Sequence, residues 1–325
     1  MATRVGQGPW RVNRCLLGLL GLPLVWASGQ SVVLATTPWG AYGTMKRCDK
    51  ESGLQDPFKI NEPTVISFSG GRTSAYLLWR VLQSNGGMPE DAIAVFANTG
   101  KEEGATLEFV RDCETNWGVE IHWLEYQDDD PKFRRVNFET ASRNGEPFEM
   151  LIKKRKYLPN PVTRFCTAIL KIRTIDRYLK SLGWEHDENM DWVGIRADEH
   201  RRAVKMDRSR VPLYVAGVTA ADVGKFWSEQ PFDLKLPNMN GKTMHGNCDL
   251  CFLKGGNQVL SLIQEKPERA VWWARMETVV QSSGMTRGDG ARFRSDRPSY
   301  AEMMKFAKDQ QPLFSDESLP CYCGD

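Results

Sequence analysis

Short apolar runs alternate with amphipathic stretches through the middle of the chain. The apolar runs have the length of buried strands, and they lie at 64–68, 92–98, 120–125 and 191–195. Apolar residues recur at helical spacing between them, at 74–82, 106–117 and 167–182. This alternation predicts an α/β domain over 60–235, with a doubly wound, mainly parallel sheet that carries helices on both faces. We take the run at 191–195 as another inner strand.

The pattern changes after the third apolar run. From the acidic turn at 128–131 to residue 166 the sequence is basic and irregular, which predicts no helix or strand there. Thr219 is a good N-cap for a helix that Pro231 ends. Beyond Gly255 the periodicity is purely helical, at 259–265, 268–280 and 300–308. We therefore predict a helical, cysteine-containing C-terminal region over 236–325 that packs on the sheet.

Residues 1–44 differ from the rest of the chain. No acidic residue precedes Asp49, and three arginines precede an apolar run at 15–26 that ends in small residues. This order is that of a secretory signal. The alternative, which we favour, is a non-functional extension before Met45, because an enzyme with metal-type cysteines belongs in a reducing cytosol. Glycines and a proline interrupt the run, so we predict a cytoplasmic protein with no stable membrane association.

The overall charge does not identify a partner. The chain has 43 basic and 41 acidic residues in 325, a net charge of +2, and 41% hydrophobic residues, as in an ordinary globular protein. Any nucleic-acid partner must therefore be argued from local clusters. Two dense basic stretches stand out, at 153–164 and 196–210. They are either solvated faces, or sites that hold nucleotide phosphates or a nucleic-acid backbone.

A glycine-containing loop follows the first predicted strand and leads directly into a helix. The loop is Ser69-Gly70-Gly71-Arg72-Thr73-Ser74. Backbone N–H groups at a helix N-terminus favour an anion, and the two glycines let the backbone approach phosphate oxygens closely. The hydroxyls and the Arg72 guanidinium can add hydrogen bonds and charge. The loop lacks the Gly-Lys-Ser/Thr ending of a Walker A loop, and the alternative is a plain strand-to-helix turn.

Four motifs, in order, resemble a known family. The stretch VISFSGGRTSAYLL at 65–78 resembles the PP-loop of the ATP pyrophosphatase superfamily, specifically its phosphoadenosine phosphosulfate (PAPS) reductase-like family. The segments at 97–102 (ANTGKE), 164–171 (RFCTAILK) and 194–202 (GIRADEHRR) are similar to later motifs of that family. The resemblance implies an adenine nucleotide alpha hydrolase-like fold that binds ATP or a sulfated adenine nucleotide.

The resemblance also implies roles for individual residues. The loop residues would hold phosphate, and Asn98, Thr99 and Gly100 would contact the adenosine. Catalytic roles fall on positions that match the later motifs, namely Lys171, Arg196, Glu199 and Arg202. Arginines just after a strand lie where open parallel sheets bind ligands. Mg²⁺ would neutralise a leaving pyrophosphate if the reaction is adenylylation.

The chain departs from the family in two places. Thr73 stands where the common PP-loop carries aspartate. The chain ends in Leu319-Pro320-Cys321-Tyr322-Cys323-Gly324-Asp325, without the Glu-Cys-Gly-Leu-His type ending of the thioredoxin-dependent reductases, and no adjacent Cys-Cys pair occurs. Adenine-nucleotide chemistry is therefore implied more firmly than reduction.

Close cysteine spacing predicts a metal centre. Cys248 and Cys251 form a CxxC turn flanked by glycines, a spacing suited to zinc or an iron-sulfur cluster. Cys166 is the natural third ligand, and Cys323 or Cys321 the fourth, with His245 as a substitute. The alternative is that free cysteines fill apolar space, which we accept for Cys113. The resemblance favours iron-sulfur over zinc.

These observations predict a nucleotide-binding enzyme. It would couple adenylylation to sulfur transfer, or act on a sulfonucleotide as a PAPS reductase-like oxidoreductase, with help from a cysteine-bound cluster. Its partners would be an adenine nucleotide, a nucleic-acid substrate and a protein that donates sulfur or electrons. The alternative, for which Thr73 is the best support, is a non-catalytic nucleotide- or nucleic-acid-binding protein with a PP-loop fold.

Overall fold

The computed structural model describes most of the chain after residue 55. The described residues are 56–187, 190–238, 243, 245–246, 248–283 and 291–309. The predictions for residues 1–44 and for Cys321 and Cys323 lie outside them. None of the described helices is both long enough and apolar enough to cross a membrane.

Five strands form one mixed, mostly parallel sheet in the order β4-β3-β2-β1-β5. The strands are β1 (Thr64–Ser67), β2 (Ala92–Asn98), β3 (Ile121–Tyr126), β4 (Phe133–Val136) and β5 (Asp191–Val193). Among the described strands, only β4 runs antiparallel to its neighbour. The α/β class and the mainly parallel sheet are therefore confirmed. The last strand was wrongly predicted as inner, because β5 pairs only with β1 in the described sheet.

Helices cover both faces of the sheet. They are α1 (Arg72–Asn85), α2 (Gly104–Trp117), α3 (Glu146–Arg155), a π-helix (Cys166–Arg173), α4 (Thr174–Ser181), α5 (His200–Ala203), α6 (Pro212–Val215), α7 (Ala220–Ser228), α8 (Gly256–Glu265), α9 (Arg269–Ser282) and α10 (Tyr300–Asp309). Alternate residues of one strand serve opposite faces. Ile66 packs with α1, α2 and α7, whereas Val65 packs with α4.

The segment at 132–166 was wrongly predicted to be irregular, since it contains β4 and α3. β4 has only four residues, and its two central arginines are exposed, so it shows little apolar pattern. In α3 the buried residues are confined to Pro147, Phe148, Leu151 and Ile152, followed by three basic residues. The predicted helix at 167–182 also divides, because its first part has π-helical hydrogen bonding.

The C-terminal helices α8, α9 and α10 lie close to their predicted positions. Their buried residues form one cluster with α3, the π-helix and Tyr126 of β3. Trp273 and Tyr300 are among the largest fully buried side chains of this cluster. The helical region is therefore joined to the carboxyl end of the sheet largely through α3 and the π-helix.

Candidate functional site

The loop at 69–74 lies at the carboxyl end of β1 and leads into α1. The Ser74 hydroxyl accepts a hydrogen bond from the Ser69 backbone N–H at 3.1 Å and lies 2.9 Å from the Gly71 carbonyl oxygen, to which it donates. Gly70 has φ +75°, and a Cβ there would lie 2.5 Å from Thr106 Cγ2. This position therefore needs glycine to bring the loop against α2.

The loop lines a cavity of about 380 Å³, here called the loop pocket. All six residues at 69–74 contribute to it. Further lining residues are Glu102, Lys171, Gly194, Arg196, Glu199 and Arg202. The structure thus brings the predicted phosphate loop together with all four residues predicted to be catalytic, although they come from three separate stretches of sequence.

Arg196 connects the end of β5 to the loop at 69–74. Its Nη1 donates to Thr73 Oγ1 at 3.0 Å, and its Nη2 pairs with Asp198 Oδ2 at 2.9 Å. Glu199 accepts from the Arg196 backbone N–H and pairs with the more exposed Arg202. Thr73 therefore positions a guanidinium beside the loop.

Lys171 occupies a central position on the π-helix. The hydrogen bonds of a π-helix join residues five apart, and Cys166 and Lys171, which have this spacing, line the same cavity. The Lys171 ammonium lies 3.6 Å from Glu102 Oε1, and its side chain is 34% exposed. Burial by itself would lower the pKa of Lys171, but the neighbouring Glu102 carboxylate favours the charged ammonium, and the pKa is raised. The side chain therefore remains a cation.

Arg72 has a structural role that the sequence did not predict. Its guanidinium forms two 2.7 Å hydrogen bonds with the Asp233 carboxylate and also donates to the carbonyl oxygens of Leu234 and Leu236. Leu234 and Leu236 line the loop pocket. Arg72 itself lines the loop pocket, so its contact with phosphate stays a prediction, while Asp233 pairs with its charge. Its bonds also hold the 233–236 segment at the pocket.

The predicted adenosine contacts at 98–100 lie inside the protein. The fully buried Asn98 amide donates to Glu125 Oε1 at 2.6 Å and to the Ser142 carbonyl oxygen at 2.9 Å. Gly100 has φ +78° and packs against Gly145. A contact from the Asn98 side chain to adenosine is not favoured, since its donors and acceptor are used internally. Thr99 Oγ1 lies 2.9 Å from both carboxylate oxygens of Glu102 and 3.5 Å from Cys248 Sγ.

Three of the predicted metal ligands open into one cavity of about 550 Å³, here called the thiol cavity. They are Cys166, Cys248 and Cys251. Burial raises the pKa of the Cys166 and Cys248 thiols, so both are neutral thiols near pH 7. No three His, Cys, Asp or Glu side chains of the described residues are already gathered closely enough to hold a metal ion. His245, the predicted substitute, pairs with Glu265 at 2.8 Å.

The CxxC turn is held against the carboxyl end of β2. Lys101 forms a buried ion pair with Asp249 at 2.9 Å, and Trp273 Nε1 donates to Asp249 at 2.8 Å. Glu102 forms an antiparallel bridge with Cys248. Sequence reasoning missed the roles of Lys101, Glu102 and Asp249. The one feature of the sequence that points to these roles is that the charged residues directly adjoin a strand end and a cysteine pair.

Comparison with known proteins places the chain among relatives of undescribed activity. It is 31% identical to the uncharacterized nin region protein ORF290 of Escherichia phage lambda over 204 residues, which cover 60% of this chain and 67% of the phage protein. The chain belongs to the ORF290 family. No protein-family model matches it, and no solved structure matches it significantly.

A second relative of this ORF290 family member is archaeal. The uncharacterized protein MJ0066 of Methanocaldococcus jannaschii is 30% identical over 148 residues. The match covers 45% of the chain but only 26% of the archaeal protein. Neither name describes a ligand or a reaction, so the function must be argued from the site itself.

Proposed function

We propose that this ORF290 family member binds ATP or a sulfated adenine nucleotide, with its phosphates in the loop pocket. The observation that supports this most is the convergence of Lys171, Arg196 and Arg202 on a cavity lined by all six loop residues. A helix N-terminus together with several cations favours a polyphosphate. The position is also the expected one, because open parallel sheets bind ligands outside the carboxyl ends of their strands.

A smaller recess of about 140 Å³ supports a nucleotide rather than a simple anion. It lies between the ends of β1 and β2 and the π-helix, and Val95, Ala97, Ile172 and Ile175 give it apolar walls. An apolar slot of this kind suits a planar base. Lys171 lines both the recess and the loop pocket. In a bound nucleotide, the part between the base and the phosphates would therefore lie beside Lys171.

The proposed chemistry is adenylylation coupled to sulfur transfer, or reaction of a sulfonucleotide. Lys171, Arg196 and Arg202 would stabilise negative charge that develops on the phosphates. Mg²⁺ carried by the nucleotide would neutralise the leaving pyrophosphate. The thiol cavity adjoins the loop pocket, since Lys171, Arg202, Thr243 and Gly246 line both. Sulfur or electrons could therefore reach the activated substrate.

Replacing Gly71 by leucine should abolish measurable nucleotide binding. Gly71 has an extended backbone that leucine can adopt, and a Cβ there finds only Ser69 Oγ, at 3.8 Å. The fold is therefore expected to persist while the side chain fills the loop pocket. Gly104→Leu is the matched control, because Gly104 also begins a helix and has open space around its Cα. Calorimetric titration with ATP measures the effect, and unchanged affinity in Gly71→Leu would contradict the proposal.

The cysteines of the thiol cavity are proposed to hold an iron-sulfur cluster. Cysteine thiolates are the usual ligands of such a cluster, and three cysteines with cationic neighbours line this cavity. Their side chains would have to turn toward one another to bind it. Anaerobically purified protein should contain iron and acid-labile sulfide, and Cys251→Ser should lose most of both. Cys113→Ala, at a buried position of α2, should retain them. A colourless, iron-free wild-type protein would remove the cluster from the proposal.

A further inference from the structure

The charged side chains that line the thiol cavity are all positive. Four of its lining side chains are cationic, and none of the described residues that line it carries a carboxylate. The four are Arg164, Lys171, Arg202 and Lys254. The cavity is therefore suited to an anionic occupant.

The four cations are not equally available to a ligand. Lys254 Nζ donates to the carbonyl oxygens of Gly246 and Cys248, both at 2.6 Å, so it organises the wall. Lys171 pairs with Glu102, and Arg202 pairs with Glu199. Arg164 is exposed and forms no ion pair with any of the described residues. Arg164 thus offers a guanidinium fork that matches two oxygens of an oxyanion.

The cavity also has the room and position for a second substrate. Its volume of about 550 Å³ exceeds the 380 Å³ of the loop pocket. Phe148 and Phe252 contribute apolar surface to it. The two cavities meet at Lys171 and Arg202, so a molecule in one would face a nucleotide in the other across those cations.

We propose that the thiol cavity binds a second, oxyanion-bearing substrate, and that Arg164 and Arg202 hold its anionic group beside the three thiols. The proposal rests on the proposed function, because the second substrate is the acceptor that would react with the nucleotide. The same oxyanion chemistry is found in a small free oxyanion and in a nucleic-acid phosphate. Exposed Arg155 extends the basic rim, since its guanidinium carbon lies 5.9 Å from the ring centroid of Phe165, next to Arg164.

Replacing Arg164 by glutamine tests the site, with Arg173→Gln as the matched control. Arg173 is an exposed arginine at the end of the π-helix and does not line the cavity. Each protein is first titrated with a non-hydrolysable ATP analogue. The saturated protein is then titrated with inorganic phosphate or with a 5′-phosphorylated thymidine hexanucleotide. We expect Arg164→Gln to weaken anion binding at least about tenfold and to leave analogue binding unchanged, whereas Arg173→Gln changes neither.

The outcomes separate the two proposals. If the ATP analogue does not bind, this contradicts nucleotide binding in the loop pocket and leaves the thiol cavity untouched. The anion titration is then made on Gly71→Leu, in which the leucine side chain fills the loop pocket. Binding of phosphate identifies a site for the free oxyanion, and binding of only the hexanucleotide identifies a nucleic-acid source. If neither anion binds the wild-type protein, or if the two arginine variants lose affinity equally, the thiol cavity is not an oxyanion site.

Discussion

Asp249→Ala is expected to lower the free energy of unfolding by about 3–5 kcal/mol, because it leaves a buried cation without its partner. Lys101 and Asp249 have side chains only 8% and 10% exposed, and their charged atoms lie 2.9 Å apart. The Asp249 carboxylate also accepts hydrogen bonds from Trp273 Nε1 and the Leu250 backbone N–H. The variant should therefore loosen the CxxC turn from the end of β2. Urea unfolding followed by tryptophan fluorescence measures the loss.

Two further variants identify the origin of that loss. Glu108→Ala removes an exposed pair with Lys235, whose atoms lie 3.6 Å apart, and should cost less than about 1 kcal/mol. The double variant Lys101→Met/Asp249→Leu removes both buried charges and should recover part of the stability. The explanation would be wrong if Asp249→Ala were no more destabilising than Glu108→Ala.

Lys171→Ala is expected to slow pyrophosphate release from ATP by about 10²–10³-fold, the usual effect of removing one positioned group that stabilises transition-state charge. Lys171 is the cation shared by the loop pocket, the thiol cavity and the apolar recess. Lys171→Arg keeps the charge but changes its shape, so it should retain part of the rate. A coupled pyrophosphate assay, with and without single-stranded nucleic acid, measures the effect.

Lys180→Ala is the control for this measurement. Lys180 lies on α4, is 61% exposed and pairs with Asp176 at 3.1 Å, so the rate should not change. A Lys171→Ala rate equal to the wild-type rate would remove this lysine from the catalytic machinery. If the wild-type protein bound ATP but released no pyrophosphate under any of these conditions, the non-catalytic alternative would replace the enzyme, and Thr73 would be its sequence signature.

The parts of the fold that were predicted correctly have strong local patterns. β2 has the predicted bounds, because its continuous apolar run ends at a change of composition. α7 begins after Thr219 as expected, since the Thr219 side chain accepts from the Asp222 backbone N–H and the Asp222 carboxylate accepts from the Thr219 backbone N–H. β4 was missed because its pairing with β3, more than its own sequence, specifies it.

The candidate site also has features that the sequence could predict and features that it could not. Its residue types could be identified in advance, because a phosphate loop and a CxxC turn have local signatures. Which charged side chains are available to a ligand could not be identified in advance, because this depends on partners that are distant along the chain. Asp233, 161 residues away along the chain, pairs with Arg72. Glu125, in the neighbouring strand, holds the buried Asn98 amide.

The amino-acid sequence by itself determined most of the strands and helices in their order, the glycine-containing loop after the first strand and the close cysteine pair. These depend on backbone preferences and hydrophobic periodicity within a few residues. Only the tertiary structure decided that Lys171 stands between the loop pocket and the thiol cavity, that Arg72 has a carboxylate partner and that Arg164 is left exposed. The physical reason is that the availability of a charge depends on burial and on nearby opposite charges, and folding brings these together from distant parts of the chain.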